Sequence, residues 1–479
     1  MNYRMIGYLL GVILAIEAAL MSFPLLVCII YRESIIPFIT TVVLILLVSV
    51  PAILQKPRNT QIYAKEGYVT VAAGWIVMSL FGALPFVING AIPSYIDAFF
   101  ETVSGFTTTG ASILTDIESL ERGILFWRSF THWIGGMGVL VFVLAILPSG
   151  TGQTMYLMRA EVPGPTKSKL VPKMRHTSLI LYGIYFALTI LMVIALLLCG
   201  MPLFDSLVNA FATAGTGGFS ILNTSIGGYN NVASEWVIAI FMLLFGINFN
   251  VFFCIILGRI RDVFKSEELR AYLLICATAT TLIAINIAST FDNIFDCIRN
   301  AFFAVTTIIS TTGFVTADFN LWPSFSKAIL VFVMIIGACA GSTAGGMKIS
   351  RILILLKSVF REIRHLLRPR SINVVRLDGE PLPDETVRSA LGYLAIYVSI
   401  FIAAFLAISV DGFSFETNVT ATLATLNNVG PGFDTVGPTG NFSGFSLFSK
   451  IILSLTMLFG RLEIMPMIIL FSPFAWKKR

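Results

Sequence analysis

Thr107-Thr108-Thr109-Gly110-Ala111-Ser112 lies between two long apolar runs, and three other stretches take the same kind of place: Ala214-Gly215-Thr216-Gly217-Gly218-Phe219, Ser310-Thr311-Thr312-Gly313-Phe314 and Asn427-Asn428-Val429-Gly430-Pro431-Gly432-Phe433. Each follows a short, half-polar run that is too short to cross a bilayer as a helix. Polar backbone at membrane depth is tolerated only where it is buried in protein or lines a wet path. Four such loops in one chain can ring a single axis, and a ring of backbone carbonyls is what a selective cation pathway needs. Successive carbonyls face one axis only if some residues take left-handed dihedrals, which glycine does at little steric cost. The sequence register makes Gly110, Gly217, Gly313 and Gly430 equivalent. Thr109, Thr216 and Thr312 then precede the glycine, and Val429 takes that place in the fourth loop. A β-branched residue there is stiff and half-apolar, so it packs outward while its carbonyl faces inward. The predicted cation-binding set is therefore Thr108, Thr109 and Gly110; Gly215, Thr216 and Gly217; Thr311, Thr312 and Gly313; and Asn428, Val429 and Gly430.

The rest of the chain agrees with membrane loops. Its 479 residues are 56% hydrophobic and 12% charged, with a mean hydropathy of +0.87, whereas soluble domains carry about 25% charged residues. Long apolar runs without strand-like alternation indicate an all-α polytopic membrane protein. Spans are predicted at 5–31, 35–54, 68–90, 123–147, 178–200, 235–258, 269–290, 325–347, 389–410 and 447–471. The chain then divides into an N-terminal transmembrane hairpin (1–60) and four repeats of span, short helix, glycine loop and span. The repeats run over 61–160, 161–262, 263–376 (with a long basic cytoplasmic extension) and 377–479. Internal duplication about an axis is a common membrane-protein plan. Asp97, Asp205, Asp296 and Glu416 stand at or near the starts of the four short runs. An acid there caps free N–H groups and suits the positive helix end, so the negative end points at the loop. The competing reading of each run is an ordinary amphipathic surface helix.

Charge placement orients the chain. With these spans, 25 of 32 basic residues fall at the N-terminus, in the loops 55–67, 148–177, 259–268 and 348–388 with their helix ends, and in the tail. The positive-inside rule puts both termini in the cytoplasm. The opposite side holds fourteen acids against six bases (Arg32, Arg122, Arg128, Arg299, Lys327 and Lys450). A negative outer vestibule concentrates cations, although sorting of the bases alone would also leave acids outside. The first apolar run reads as a spanning helix and not as a cleaved signal. The six cysteines are scattered without a CxxC pair, which gives neither a metal site nor a disulfide framework.

Two features sit on the cytoplasmic side of the loops. Gly337-Ala338-Cys339-Ala340-Gly341-Ser342-Thr343-Ala344-Gly345-Gly346 has four glycines and no large side chain, and cannot make a firm helix. It reads as an unwound, mobile gate crossing the pathway, with Gly337, Gly341, Ser342, Thr343, Gly345 and Gly346 as its residues; close helix packing is the alternative. Arg461 lies inside the last span, where an arginine is costly unless paired or hydrated. Facing the pathway it would repel a cation, with Lys348 adding to that barrier; pairing with Glu463 or snorkelling is the alternative. The basic stretch 348–376 suits anionic lipid headgroups or a soluble regulator, and nucleic acid is not an expected partner. No Walker loop or GxSxG occurs, and the three histidines (His132, His176, His365) are not at metal spacing, so no enzyme is expected. His132 reads as packing at the outer part of a span.

Phe126-Trp127-Arg128-Ser129, Gly135-Gly136-Met137-Gly138, the four loops, Gly341-Ser342-Thr343-Ala344-Gly345-Gly346-Met347-Lys348 and Gly460-Arg461-Leu462-Glu463 together resemble the Trk/Ktr/HKT superfamily of cation transporters. The resemblance covers nearly the whole chain. It implies four membrane–pore-loop–membrane repeats around one central pore, with one glycine per filter strand, and K+ as the transported ion. Glycine at the first strand, where sodium-selective plant relatives have serine, implies potassium. It further implies a homodimer in the bacterial inner membrane, with no cofactor bound by this chain and control by the inner loop and Arg461. A cytosolic TrkA-like regulatory subunit would bring the nucleotide. Asn428-Val429-Gly430-Pro431 lacks threonine, which departs from fourfold likeness. The alternative to a gated pore is an ion-coupled secondary transporter of a small solute, which would need one midplane site in an inverted repeat.

Overall fold

The computed structural model describes residues 1–57, 62–138, 174–370 and 373–476. The chain is almost entirely helical, as expected for a polytopic membrane protein; a two-residue hairpin pairs Arg376–Leu377 with Glu380–Pro381. Six helical stretches among the described residues are long and apolar enough to cross a bilayer: Tyr3–Tyr31, Ile36–Leu54, Ala64–Asn89, Ser178–Leu198, Glu267–Thr290 and Asp384–Asp411. The first two form the N-terminal hairpin. The other four each open one repeating unit.

The second span of every unit departs from the expectation of a continuous helix. Arg122–Gly136, Val232–Phe245, Ser324–Ile336 and Leu447–Arg461 stop after 15, 14, 13 and 15 residues. At about 1.5 Å per residue such a helix covers only some two thirds of a bilayer core of about 30 Å. Val232–Phe245 resumes as Phe249–Ile256 after a bend of 91°. Ser324–Ile336 gives way to an irregular segment before Ile349–Leu367. Leu447–Arg461 is followed by Glu463 and Ile464 at φ 58° and 68°, and then by Met465–Phe471. The remainder of the expected 123–147 span, the basic loop through residue 173 and the boundary at 160/161 fall outside the described residues.

A glycine stands at each break, and at the first and the fourth it permits contact with the end of a short helix. A methyl group at Gly135 would overlap the Phe106 carbonyl, and one at Gly460 the Leu426 carbonyl. Phe106 and Leu426 are the last residues of the first and fourth short helices, so the trailing helices lean on the short-helix ends at equivalent places. The apolar character of these spans carries no trace of the breaks. What makes them tolerable is partners supplied from elsewhere to the freed polar groups.

The four short helices are Tyr95–Phe106, Leu203–Gly215, Ile294–Ile309 and Phe415–Leu426. Their starts correct one detail of the sequence reading. The N-caps are Ser94, Pro202, Asn293 and Ser414; Ser94 accepts from the Asp97 N–H, Asn293 from that of Phe295, and Ser414 from that of Thr417. The acids lie two or three residues further in, within the first turn, where they suit the helix dipole without capping. Asp97, Asp296 and Glu416 are also paired, with Lys450 at 2.7 Å, Arg299 at 2.9 Å and Lys327 at 3.5 Å. Two of those bases come from trailing helices of other units (Lys450, Lys327), so the outer charges hold the units to one another.

Candidate functional site

Each short helix ends in the same hydrogen-bonded turn. The N–H groups of Thr108, Thr216, Thr311 and Asn428 donate three residues back, to Gly105, Thr213, Ile308 and Thr425 at 3.0–3.3 Å. The next N–H groups, on Thr109, Gly217, Thr312 and Val429, donate five residues back, to Ser104, Ala212, Thr307 and Ala424 at 2.8–2.9 Å. This pair of bonds is the Schellman cap, whose first residue beyond the helix is left-handed and usually glycine. Here it is Thr108, Thr216, Thr311 and Asn428, at φ 55°, 57°, 56° and 55°. A left-handed β-branched residue stores strain of about 1–3 kcal/mol. Three of the four loops carry that strain, while asparagine in the fourth tolerates the conformation.

Two residues beyond this position the chain is left-handed again, at Gly110, Gly218, Gly313 and Gly430, with φ 78°, 76°, 87° and 92°. The structural register therefore differs from the sequence register in the second loop: Gly218, and not Gly217, matches the other three glycines. Gly217 takes the place of Thr109, Thr312 and Val429, and Thr216 that of Thr108, Thr311 and Asn428. Gly215, assigned to the predicted set, belongs to the end of the helix. Three glycines in four residues left the sequence without a way to choose between frames.

The glycines also show how the loops meet. A methyl group at Gly110 would overlap the carbonyl oxygen of Gly217; at Gly218, that of Thr312; at Gly313, that of Val429; and at Gly430 it would lie 2.7 Å from that of Thr109. Each loop thus presses its glycine against the middle carbonyl of the next, and the fourth returns to the first. The ring closes in chain order.

Behind the ring a set of polar side chains pairs across the loops. Thr109 Oγ1 lies 2.8 Å from Thr107 Oγ1, and Thr312 Oγ1 2.7 Å from Ser310 Oγ. Asn428 Nδ2 donates to Thr109 Oγ1 and to the Met457 carbonyl, both at 2.9 Å, which bolts the fourth loop to the first. His132 does more than pack: it is fully buried, with Nδ1 at 2.7 Å from the Gly105 carbonyl and Nε2 accepting from the Phe219 N–H at 3.3 Å. One imidazole thus joins the first short helix to the second loop. Glu101 and Arg128, both buried, pair at 2.7 Å. Glu101 also accepts from Ser112 Oγ and the Ile113 N–H, and Arg128 donates to the Ser220 carbonyl at 2.9 Å with its guanidinium 3.6 Å from the Phe219 ring centre. The sequence reading counted Arg128 among outer helix-end bases. The signal that would have placed it was an acid in mid-helix at 101 facing a base in an apolar span.

Below the ring lies the segment 337–348, unwound as expected and buried over nearly its whole length. Gly337, Gly341 and Gly346 take φ 67°, 69° and 78°. Gly345 N–H donates to Thr311 Oγ1 at 2.7 Å, so the segment touches the ring directly. Ser342 Oγ donates to the Cys339 carbonyl and Thr343 Oγ1 to that of Phe245. Cys339 N–H donates to the Gly246 carbonyl, and Phe249 N–H to that of Gly341. The segment thereby fills the bend in the second trailing helix. Lys348, buried, turns its Nζ onto the Ala344 carbonyl of the same segment.

Arg461 reaches the segment from the other side. Nη1 donates to the Thr343 carbonyl at 2.6 Å, and Nη2 to the carbonyls of Gly135 and, at 2.7 Å, Gly136. Those two carbonyls end the first trailing helix, where acceptors lack helical partners and the dipole favours a cation. Glu463, the partner considered for Arg461, pairs with Arg351 instead. Arg351 and two other bases of the stretch 348–376 are drawn into ion pairs, Lys357 with Glu267 and Arg361 with Asp384, leaving Arg364 and Arg370 among those exposed.

Residues 35–478 match the family model described as TrkH, cation transport protein. The chain is 36% identical, with full coverage of both chains, to the "Trk system potassium uptake protein TrkH" of Salmonella typhimurium. It is 33% identical to the "Trk system potassium uptake protein TrkG" of Escherichia coli, with 99% of each chain covered. In three dimensions it superposes on the crystal structure of the potassium transporter TrkH from Vibrio parahaemolyticus with a TM-score of 0.88, at 32% identity and full coverage of both chains.

Proposed function

The chain belongs to the TrkH family of cation transport proteins, and from that premise we propose that it carries potassium across a bacterial cytoplasmic membrane through the ring of four loops. The observation that carries this reading is the ring's closure: four left-handed glycines, each set against the middle carbonyl of the next loop. Such a ring offers backbone oxygens in place of a hydration shell. In structural register the filter residues are Thr108–Gly110, Thr216–Gly218, Thr311–Gly313 and Asn428–Gly430. A solute carrier with one midplane site does not call for four alike loops.

Control is assigned to the segment 337–348 and Arg461. The segment lies directly beneath the third loop, and the guanidinium holds it to the end of the first trailing helix. A fixed cation there also opposes a passing one. As further parts of this reading, the protein works as a homodimer with both termini in the cytoplasm. Its cytoplasmic bases face anionic lipid and a TrkA-like nucleotide-binding subunit, and this chain binds no cofactor of its own.

The test is radioactive rubidium uptake into vesicles containing the purified protein, with sodium as competitor. Gly110→Ser and Gly218→Ser both lose preference for rubidium over sodium if the ring selects. Retained preference in both variants overturns the assignment.

A further inference from the structure

One carboxylate outside the ring ties the inner segment to the helix that follows it. Glu268 stands in the first turn of Glu267–Ile287, the leading helix of the third unit, and is 8% exposed. Its Oε1 accepts from the Ala340 N–H at 2.7 Å and from the Ser350 N–H at 3.1 Å. Ala340 lies within the unwound segment. Ser350 is in the first turn of Ile349–Leu367, a helix whose N-terminus has no side-chain cap of its own. Glu268 therefore supplies from another helix the acceptor that this N-terminus lacks, and ties it to the segment's middle. The neighbouring residues of the same helix reinforce the grip. Glu267 pairs with Lys357, two turns along from Ser350, and Tyr272 donates to the Leu243 carbonyl at 3.1 Å beside the bend that the segment fills.

We infer that Glu268 is a positioning residue for permeation: it fixes the segment 337–348 in the arrangement that lies beneath the ring. This rests on the assignment of that segment as the gate. Arg461 holds the segment at Thr343, and Glu268 holds it at Ala340. Movement of the segment out of the pathway must break the Ala340 bond, the Ser350 bond or both. A residue that only supported the fold would lower flux when removed, whereas a residue that restrains the gate raises it.

The experiment measures rubidium flux into proteoliposomes holding the full chain alone, for the wild type and for E268A, E268D, E268Q and R461A at equal protein. E268A raises flux about tenfold, as loss of hydrogen bonds to a charged acceptor implies, with rubidium still preferred over sodium. E268D keeps the charge but is one methylene short of spanning both N–H groups, and also raises flux. E268Q keeps the acceptor oxygen and restores most of the restraint. Amide hydrogen exchange of the same samples quickens over 337–350 in E268A while the loop peptides around Gly110 and Gly430 hold. If R461A raises flux and neither E268A nor E268D does, the Glu268 inference is overturned and the gate stands. If E268A fails to fold, E268D and exchange over 337–350 decide. If R461A also leaves flux unchanged, the gate assignment itself falls and the inference with it.

Discussion

The ring of outer loops and the single inner segment are built from the same residue types, glycine with hydroxyl-bearing neighbours, yet they are held in different ways. In the ring, backbone meets backbone. Each glycine lies against a carbonyl of the next loop, and each loop is closed by two backbone bonds of a Schellman cap. The inner segment has backbone bonds too, to Gly246, Ile335 and Ile336, but side chains add three separate tethers: Thr311, Arg461 and Glu268 each hold one point of it. Backbone contact leaves no slack, because the only change it allows is a side chain where none fits. Side-chain tethers can be let go one at a time. On the proposed roles, the region that selects is stiff and the region that moves is releasable.

The largest expected effect breaks the stiff half. Gly430→Ala or Gly218→Ala drives a methyl group into a neighbouring carbonyl at a left-handed position, and should abolish selective uptake; normal rubidium transport in well-expressed Gly430→Ala vesicles would contradict the packing described. Next comes the brace behind the ring. Arg128→Ala leaves Glu101 buried without its cation, at a cost of about 3–5 kcal/mol, read as a lowered thermal midpoint in detergent. An unshifted midpoint would show that the pair does not brace the ring. The releasable half responds differently: Arg461→Ala should raise rubidium flux about tenfold, the loss of a charge-assisted tether, with stability little changed. Reduced flux there would mean that the arginine supports the path and does not restrain it.

The smallest effect concerns the outer rim. The hydroxyls of Ser414 and Thr417 hold the Asp434 carboxyl below its ordinary value of 3.8. A carboxyl lowered on folding adds stability above its unfolded value, and loses it as pH falls through the folded one. The wild type should therefore lose a little of its thermal advantage over Asp434→Asn below about pH 4. A gap between the two that stays constant with pH would rule that out.

The sequence showed which segments lie in the membrane and where the loops interrupt them, because apolar length and glycine are local signals. It did not show the frame of the second loop, since Gly215, Gly217 and Gly218 are all able to take left-handed dihedrals and only contact with Thr312 decides among them. Nor did it show that the trailing spans stop short. Val232–Phe245 and Phe249–Ile256 are both apolar, and their break depends on partners such as Cys339 and Gly341 far along the chain. The tether from Arg461 to Gly135 joins residues 326 positions apart, and no periodicity records a bond of that kind. Arg461 itself was visible as a charge in an oily span, but what it holds was not.

The ring closes within one polypeptide, and among the described residues only the third of its four quarters carries the inner segment. A pore assembled from four identical subunits moves four equivalent parts, so its response to a stimulus can be steep. If that segment is the gate, one hinge in one quadrant decides the state of one path, and no symmetry obliges the other three to follow. Opening of each path should accordingly be graded with its stimulus, with a Hill coefficient near one for each chain and any steeper response arising between chains.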